Sequence, residues 1–165
     1  MPEDLFDAFR EDHAILGRGF YEIAGHIRER NLSAAKARAG QVDREAGAHI
    51  AFEQNHFYPA LCGLIGGVEV DRLRREHEEG LKVIRRFQEL SENSTVDERE
   101  WDRLLEKTEI MEDHVAECGE LFGTMGRFTP KEQQALLDQL LALRREAPRW
   151  TRIADGNVDP PGRDR

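Results

Sequence analysis

Apolar side chains recur at alternating spacings of three and four along most of the chain, the signature of amphipathic helices. Phe6, Phe9, His13, Leu16, Phe20, Ile23 and Ile27 form the first stripe, within residues 4–30. Gly17, Gly19 and Gly25 interrupt it, as sites of close packing or of a bend. Asn31-Leu32-Ser33 reads as a turn with Ser33 as the N-cap of a second helix reaching about Cys62. Val42, Ala46, His49, Phe52, Glu53, His56 and Ala60 share one face of that helix, and Pro59 kinks or ends it. Val70, Leu73, His77, Leu81, Ile84 and Phe87 predict a third helix over residues 69–90. Thr95-Val-Asp-Glu98 has the pattern of a capping box for a fourth. That helix carries Trp101, Leu104, Thr108, Met111, His114, Cys118, Leu121 and Met125 and ends near Gly126. A second box, Thr129-Pro130-Lys131-Glu132, opens a fifth helix with Leu136, Leu137, Leu140, Leu141 and Leu143, which packs outside the others.

No strand-like alternation of useful length interrupts these stripes. The pattern predicts an all-α fold, an up-down-up-down four-helix bundle with an additional C-terminal helix. Residues 1–146 read as one domain and the Pro-, Gly- and charge-rich residues 147–165 as a loose tail.

Composition narrows the function. At 39% hydrophobic and 35% charged, the 165 residues suit a soluble helical protein with solvated outer faces. A net charge of −9 argues against a nucleic-acid footprint, which is basic. No apolar run approaches the roughly 20 residues of a membrane span, and the acidic N-terminus lacks the marks of a secretory signal. Two cysteines, Cys62 and Cys118, make no disulfide framework and fit a reducing cytoplasm.

The candidate chemistry lies on the apolar stripes. The first four helices each carry one histidine there: His13, His49, His77 and His114. His13 and His77 fall about eight or nine residues after their helix starts, His49 and His114 about twelve or thirteen before their helix ends. At a rise of about 1.5 Å per residue, antiparallel neighbours bring all four imidazoles to one level. Glu53, four after His49, stands on the same helical face. Imidazole and carboxylate together suit iron, zinc or copper, and unliganded imidazoles gathered in a core are expensive to desolvate. The hairpin holding His77 and His114 has no glutamate four residues after its second histidine. Cys118 stands there and Glu117 precedes it, so both are candidate ligands; a thiolate favours zinc or a single iron.

These residues resemble the hemerythrin-like family, also called the HHE cation-binding domain, over residues 4–126. His49-Ile-Ala-Phe-Glu53 followed by Phe57-Tyr58-Pro59 is similar to the family's signature on its second helix. His13, His77 and His114 match its single histidines on helices one, three and four. The resemblance implies a bundle holding two non-heme irons joined by an oxo or hydroxo bridge, with zinc or a single iron as the alternative. Members carry or sense dioxygen, handle peroxide or nitric oxide, or act in iron homeostasis. A second bridging carboxylate is usual after the helix-four histidine, where this chain has Cys118 and Gly119.

The surrounding residues take their roles from this frame. Phe9, Phe20, Phe52 and Met111 form an apolar lining that excludes bulk water. Asp12, Glu76 and Asp113 each precede a histidine and read as solvated surface charge. His56 is either a spare ligand or proton carrier or a polar residue near the bundle's end. Tyr58 packs beside Pro59, with its hydroxyl within reach of the site. Three functions share this ligand set: reversible small-molecule binding or sensing, an enzyme acting on peroxide or nitric oxide, and a structural module holding one zinc or nothing.

Overall fold

Polar side chains set where the helices begin. Asp4 accepts the backbone N–H of Asp7 at 2.8 Å and caps α1 (Leu5–Arg28). Asn31 caps α2 (Leu32–Phe52) by accepting from Ala34 at 3.1 Å, so the cap lies two residues earlier than Ser33. A π-helical turn (Glu53–Phe57) joins α2 to α3 (Tyr58–Ile65), and Gly66, at φ +89°, turns the chain into α4 (Gly67–Glu89). The Thr95 box is not the start of α5 (Glu98–Met125): Asp97 accepts the Glu100 N–H at 2.8 Å and begins the helix closer to it. Thr129 and Glu132 do form the capping box of α6 (Pro130–Glu146), with Pro130 in its first turn. A short α7 (Trp150–Ala154) follows.

This computed structural model describes residues 4–154, and for Cys118, Gly119, Glu120 and Phe122 the backbone alone. The described residues contain no β-strand, so the fold is all-helical, as the hydrophobic pattern predicts. None of their helices is long and apolar enough to cross a membrane.

α1 packs against α2 and α5, and α4 packs against the same two helices. Phe9 meets Phe52, His13 meets His49, and Gly19 faces Val42, so residue number rises along α1 as it falls along α2. A β-carbon on Gly19 would lie 2.6 Å from Val42 Cγ2, so this glycine is a site of close packing. Arg72 with Glu117, His77 with His114 and Arg86 with Glu100 give α4 and α5 the same opposed sense.

The core is divided. Leu16, Phe20, Ile27, Ile84, Phe87 and Trp101 belong to one apolar cluster, and Phe9, Phe52, Phe57, Leu61, Leu73 and Met125 to another. On α1 and α4 the histidine lies between the two in sequence: His13 between Phe9 and Leu16, His77 between Leu73 and Leu81.

The segment after α6 is not a loose tail as far as residue 154. Trp150 is 1% exposed and stacks edge-on with Phe20. Asp43, fully buried on α2, accepts the backbone N–H of Thr151 at 2.9 Å and its hydroxyl at 3.1 Å. Gly47 makes room for the approach, because a β-carbon there would sit 1.7 Å from the Pro148 carbonyl oxygen. Proline, glycine and charge suggested disorder, but one buried indole and one satisfied aspartate hold these residues down. Residues 155–165 of the expected tail lie outside the described part.

Candidate metal centre

The site begins with a backbone irregularity. In the π-turn the Tyr58 N–H bonds the Glu53 carbonyl, five residues back rather than four. The Gln54 carbonyl would then need the N–H of residue 59, which is a proline and has none. Arg74, from α4, supplies the missing donor at 3.1 Å. The extra residue in the turn brings Tyr58 over Glu53: its hydroxyl donates to Glu53 Oε2 at 3.2 Å and lies 3.1 Å from His77 Nε2. The same shift breaks the α-helical phase on which His56 would share the face of His49. His56 instead borders a surface pocket with Phe128 and Leu136.

Glu53 is the centre of the cluster and is 1% exposed. Its Oε1 faces His49 Nε2 at 3.1 Å and His13 Nε2 at 3.9 Å. Its Oε2 faces His77 Nε2 at 3.0 Å, and His77 Nε2 lies 3.0 Å from His114 Nε2. Two sets of donor atoms result, His13–His49–Glu53 and Glu53–His77–His114, each gathered within 4.8 Å.

The opposite ring nitrogens have partners of their own. His13 Nδ1 donates to the Phe9 carbonyl at 2.7 Å, which leaves Nε2 as the lone-pair nitrogen when the ring is neutral. His49 Nδ1 donates to Asp12 Oδ2 at 2.9 Å and His114 Nδ1 to Glu76 Oε2 at 2.6 Å. Gln54 Nε2 lies 3.4 Å from His77 Nδ1. Asp12 and Glu76 are therefore not solvated charge. Each precedes a histidine on its own helix but points across to the histidine of a neighbour, because successive helical residues diverge by about 100°. Asp113 is exposed, as expected.

Burial alone would lower the pKa of His49, but the Glu53 carboxylate and the hydrogen bond to Asp12 outweigh it and raise the ring to about 10. Burial and the neighbouring His49 charge lower His13 to about 4. His77 is lowered by burial against the pull of Glu53. Burial would raise Glu53, yet His49 and His77 hold it well below the usual carboxylate range. In the metal-free chain one proton on His49 thus balances the carboxylate.

That proton leaves a defect which a cation would remove. His49 Nε2 and Glu53 Oε1 are fully buried and close, but they are not aligned for a hydrogen bond. Buried polar atoms of this kind are rare and call for a partner. Four imidazoles around one carboxylate suit a transition-metal ion, and outer hydrogen bonds to Asp12 and Glu76 are the usual means of orienting metal-bound histidines. Three protein donors per set leave positions open for another ligand.

Comparison with known proteins agrees with this geometry. The model of the hemerythrin HHE cation binding domain matches residues 4–125. The chain belongs to this family. No curated protein and no solved structure gave a match.

The hemerythrin domain of this chain brings together five of the seven residues singled out from the sequence: His13, His49, Glu53, His77 and His114. Glu117 stands apart, its exposed carboxylate on Arg72 at 3.0 Å. The side chain of Cys118 lies outside the described residues. Cys62 is an exposed free thiol. Sequence reasoning missed the contacts of Asp12 and Glu76. The one available signal was an acid immediately before a histidine, and Asp113 carries that signal without the contact.

Proposed function

We propose that this hemerythrin-family chain holds two non-heme iron ions around Glu53 and binds or senses dioxygen or a related small molecule such as nitric oxide or peroxide. The observation that carries this reading is the place of Glu53. One carboxylate turns each of its oxygens to a different histidine pair, and two of the facing atoms are buried without a hydrogen bond. His13 and His49 would hold one ion, His77 and His114 the other, with Glu53 common to both.

Iron held there would supply a redox-active centre with open coordination positions, where small ligands can bind. The chain's own residues do the rest. Asp12 and Glu76 orient His49 and His114. Phe9, Phe52 and Phe57 lie on one side of the histidine layer and exclude water from it. Tyr58 holds its hydroxyl proton on Glu53 Oε2, beside His77 Nε2, and so orients the shared carboxylate. The opposed packing of α1, α2, α4 and α5 supports the up-down-up-down bundle that this arrangement requires.

The test is spectroscopic. Anaerobic, iron-loaded protein is expected to hold about two irons per chain and to change its near-ultraviolet absorption on addition of dioxygen or azide. An iron-loaded protein that responds to neither would refute the reading. Catalytic loss of added peroxide or nitric oxide, abolished by His49→Ala, would assign turnover in place of reversible binding.

A further inference from the structure

One side chain outside the family-matched segment reaches the metal donors through a single intermediary. Arg144 stands in the last turn of α6, nineteen residues past the end of the match at residue 125. Its guanidinium donates to Asp12 Oδ1 at 2.7 Å, to the Ala8 carbonyl at 2.9 Å and to Glu11 Oε2 at 3.3 Å. The other oxygen of Asp12 accepts from His49 Nδ1 at 2.9 Å. A continuous path, Arg144 to Asp12 to His49, therefore joins the C-terminal helix to one half of the centre.

The other half has a looser counterpart. Arg72 bonds Glu76, which accepts from His114 Nδ1. The Arg72 guanidinium is also drawn to Glu69 and Glu117, and its side chain is 40% exposed against 25% for Arg144. Arg72 thus divides itself among three carboxylates at the surface. Arg144 instead fixes Asp12 while anchored to the backbone of α1.

We propose that Arg144 is a positioning residue through which docking of α6 makes the His13–His49–Glu53 set the tighter of the two metal positions. The inference rests on the two-ion reading above. A carboxylate can rotate about its last bond and offer either oxygen to the imidazole. With Oδ1 taken by a planar, anchored guanidinium, Oδ2 alone is left for His49 Nδ1–H. That fixes both the tautomer and the ring plane, so Nε2 faces Glu53 before any ion arrives. The ordering is complete in the folded chain and is not paid again on binding. Buried Leu136, Leu137, Leu140 and Leu143 hold α6 in place, which sets the position of Arg144.

The test uses the full chain, freed of metal and titrated anaerobically with ferrous iron by equilibrium dialysis. Arg144→Gln is expected to weaken one of two ions by about 10–100-fold and to leave the other unchanged. Arg144→Lys, which keeps the charge but not the fork, is expected to recover part of the loss. Arg144→Gln added to His49→Ala is expected to cost nothing further, since both act on the same ion. Leu136→Ala loosens α6 from its apolar side and is expected to lower the melting temperature and to weaken the same ion, by no more than Arg144→Gln does. An Arg144→Gln curve that superposes on the wild type would overturn the proposal. So would equal weakening of both ions in Arg144→Gln, which would mean a general loosening of the fold in place of an effect on His49. A wild-type chain that takes up fewer than two irons would overturn the two-ion reading and this proposal with it.

Discussion

Glu53→Gln separates a shared carboxylate from a set of independent ligands. The substitution keeps the shape and the amide oxygen but removes the charge that both donor sets have in common. If Glu53 belongs to both positions, its loss empties both, whereas the loss of a single histidine empties one. The size of the effect follows from linkage. Each ion held at a hundredfold excess over its dissociation constant stabilises the folded chain by about 2.7 kcal/mol. Two ions add about 5 kcal/mol, which for a chain of this length raises the melting temperature by about 11–22 °C. The metal-free variant starts from a lower baseline. Protonated His49 loses one of its two counter-charges, and breaking a buried pair of this kind costs about 3–5 kcal/mol. The informative quantity is therefore the iron-dependent rise within each protein, measured by thermal unfolding beside iron analysis of the same samples. Wild type is expected to show the full rise with about two irons per chain, and Glu53→Gln a rise of no more than a few degrees. A variant that binds two irons and rises as far as wild type would refute the bridging role.

Two further predictions concern the metal-free chain. Its stability is expected to peak near pH 6.5. Below that pH the unfolded chain takes up a proton at the ordinary histidine value that His13 refuses until about pH 4, so about 2–3 kcal/mol is lost by pH 4.5. Above it His49 keeps a proton that the unfolded chain has released, and this contribution, complete below pH 6.5, disappears as the pH rises through about 10. Urea unfolding at pH 4.5, 6.5 and 9 gives the profile, and equal stabilities at all three would contradict the assigned protonation. Gly47→Ala puts a β-carbon 1.7 Å from the Pro148 carbonyl oxygen and is expected to displace α7 at a cost of about 1–3 kcal/mol. Red-shifted Trp150 emission in a Trp101→Phe background reports the displacement, and unchanged emission with unchanged stability would show that α7 is not held there.

Much of the centre was legible along the chain because helical phase is a local property. Spacings of three and four put His13, His49, His77 and His114 on buried stripes, and their distances from the helix ends put them at one level. Glu53 followed from His49 by the same rule. The Thr129 box was readable because both of its hydrogen bonds close within four residues. The misplaced starts have a related cause. Asn31 and Asp97 lie within a few residues of the expected caps, and several polar side chains competed for the same orphan N–H groups.

What the sequence by itself determined, then, is which residues share a face and at what height. The tertiary structure decided what those faces meet. The π-turn depends on Pro59, which is visible in the sequence, but also on Arg74 arriving from α4 to satisfy the Gln54 carbonyl. Asp12 and Glu76 serve histidines on neighbouring helices, so their roles depend on the rotation of one helix against the next. Trp150 is buried because Gly47 on α2 admits the Pro148–Arg149 backbone and Gly80 on α4 leaves room for the indole, both far away in sequence. Arg144 joins the centre only because a row of leucines seats α6 on the bundle. Backbone periodicity fixes contacts within a turn or two; those between helices are set by packing, which places side chains that no local rule connects.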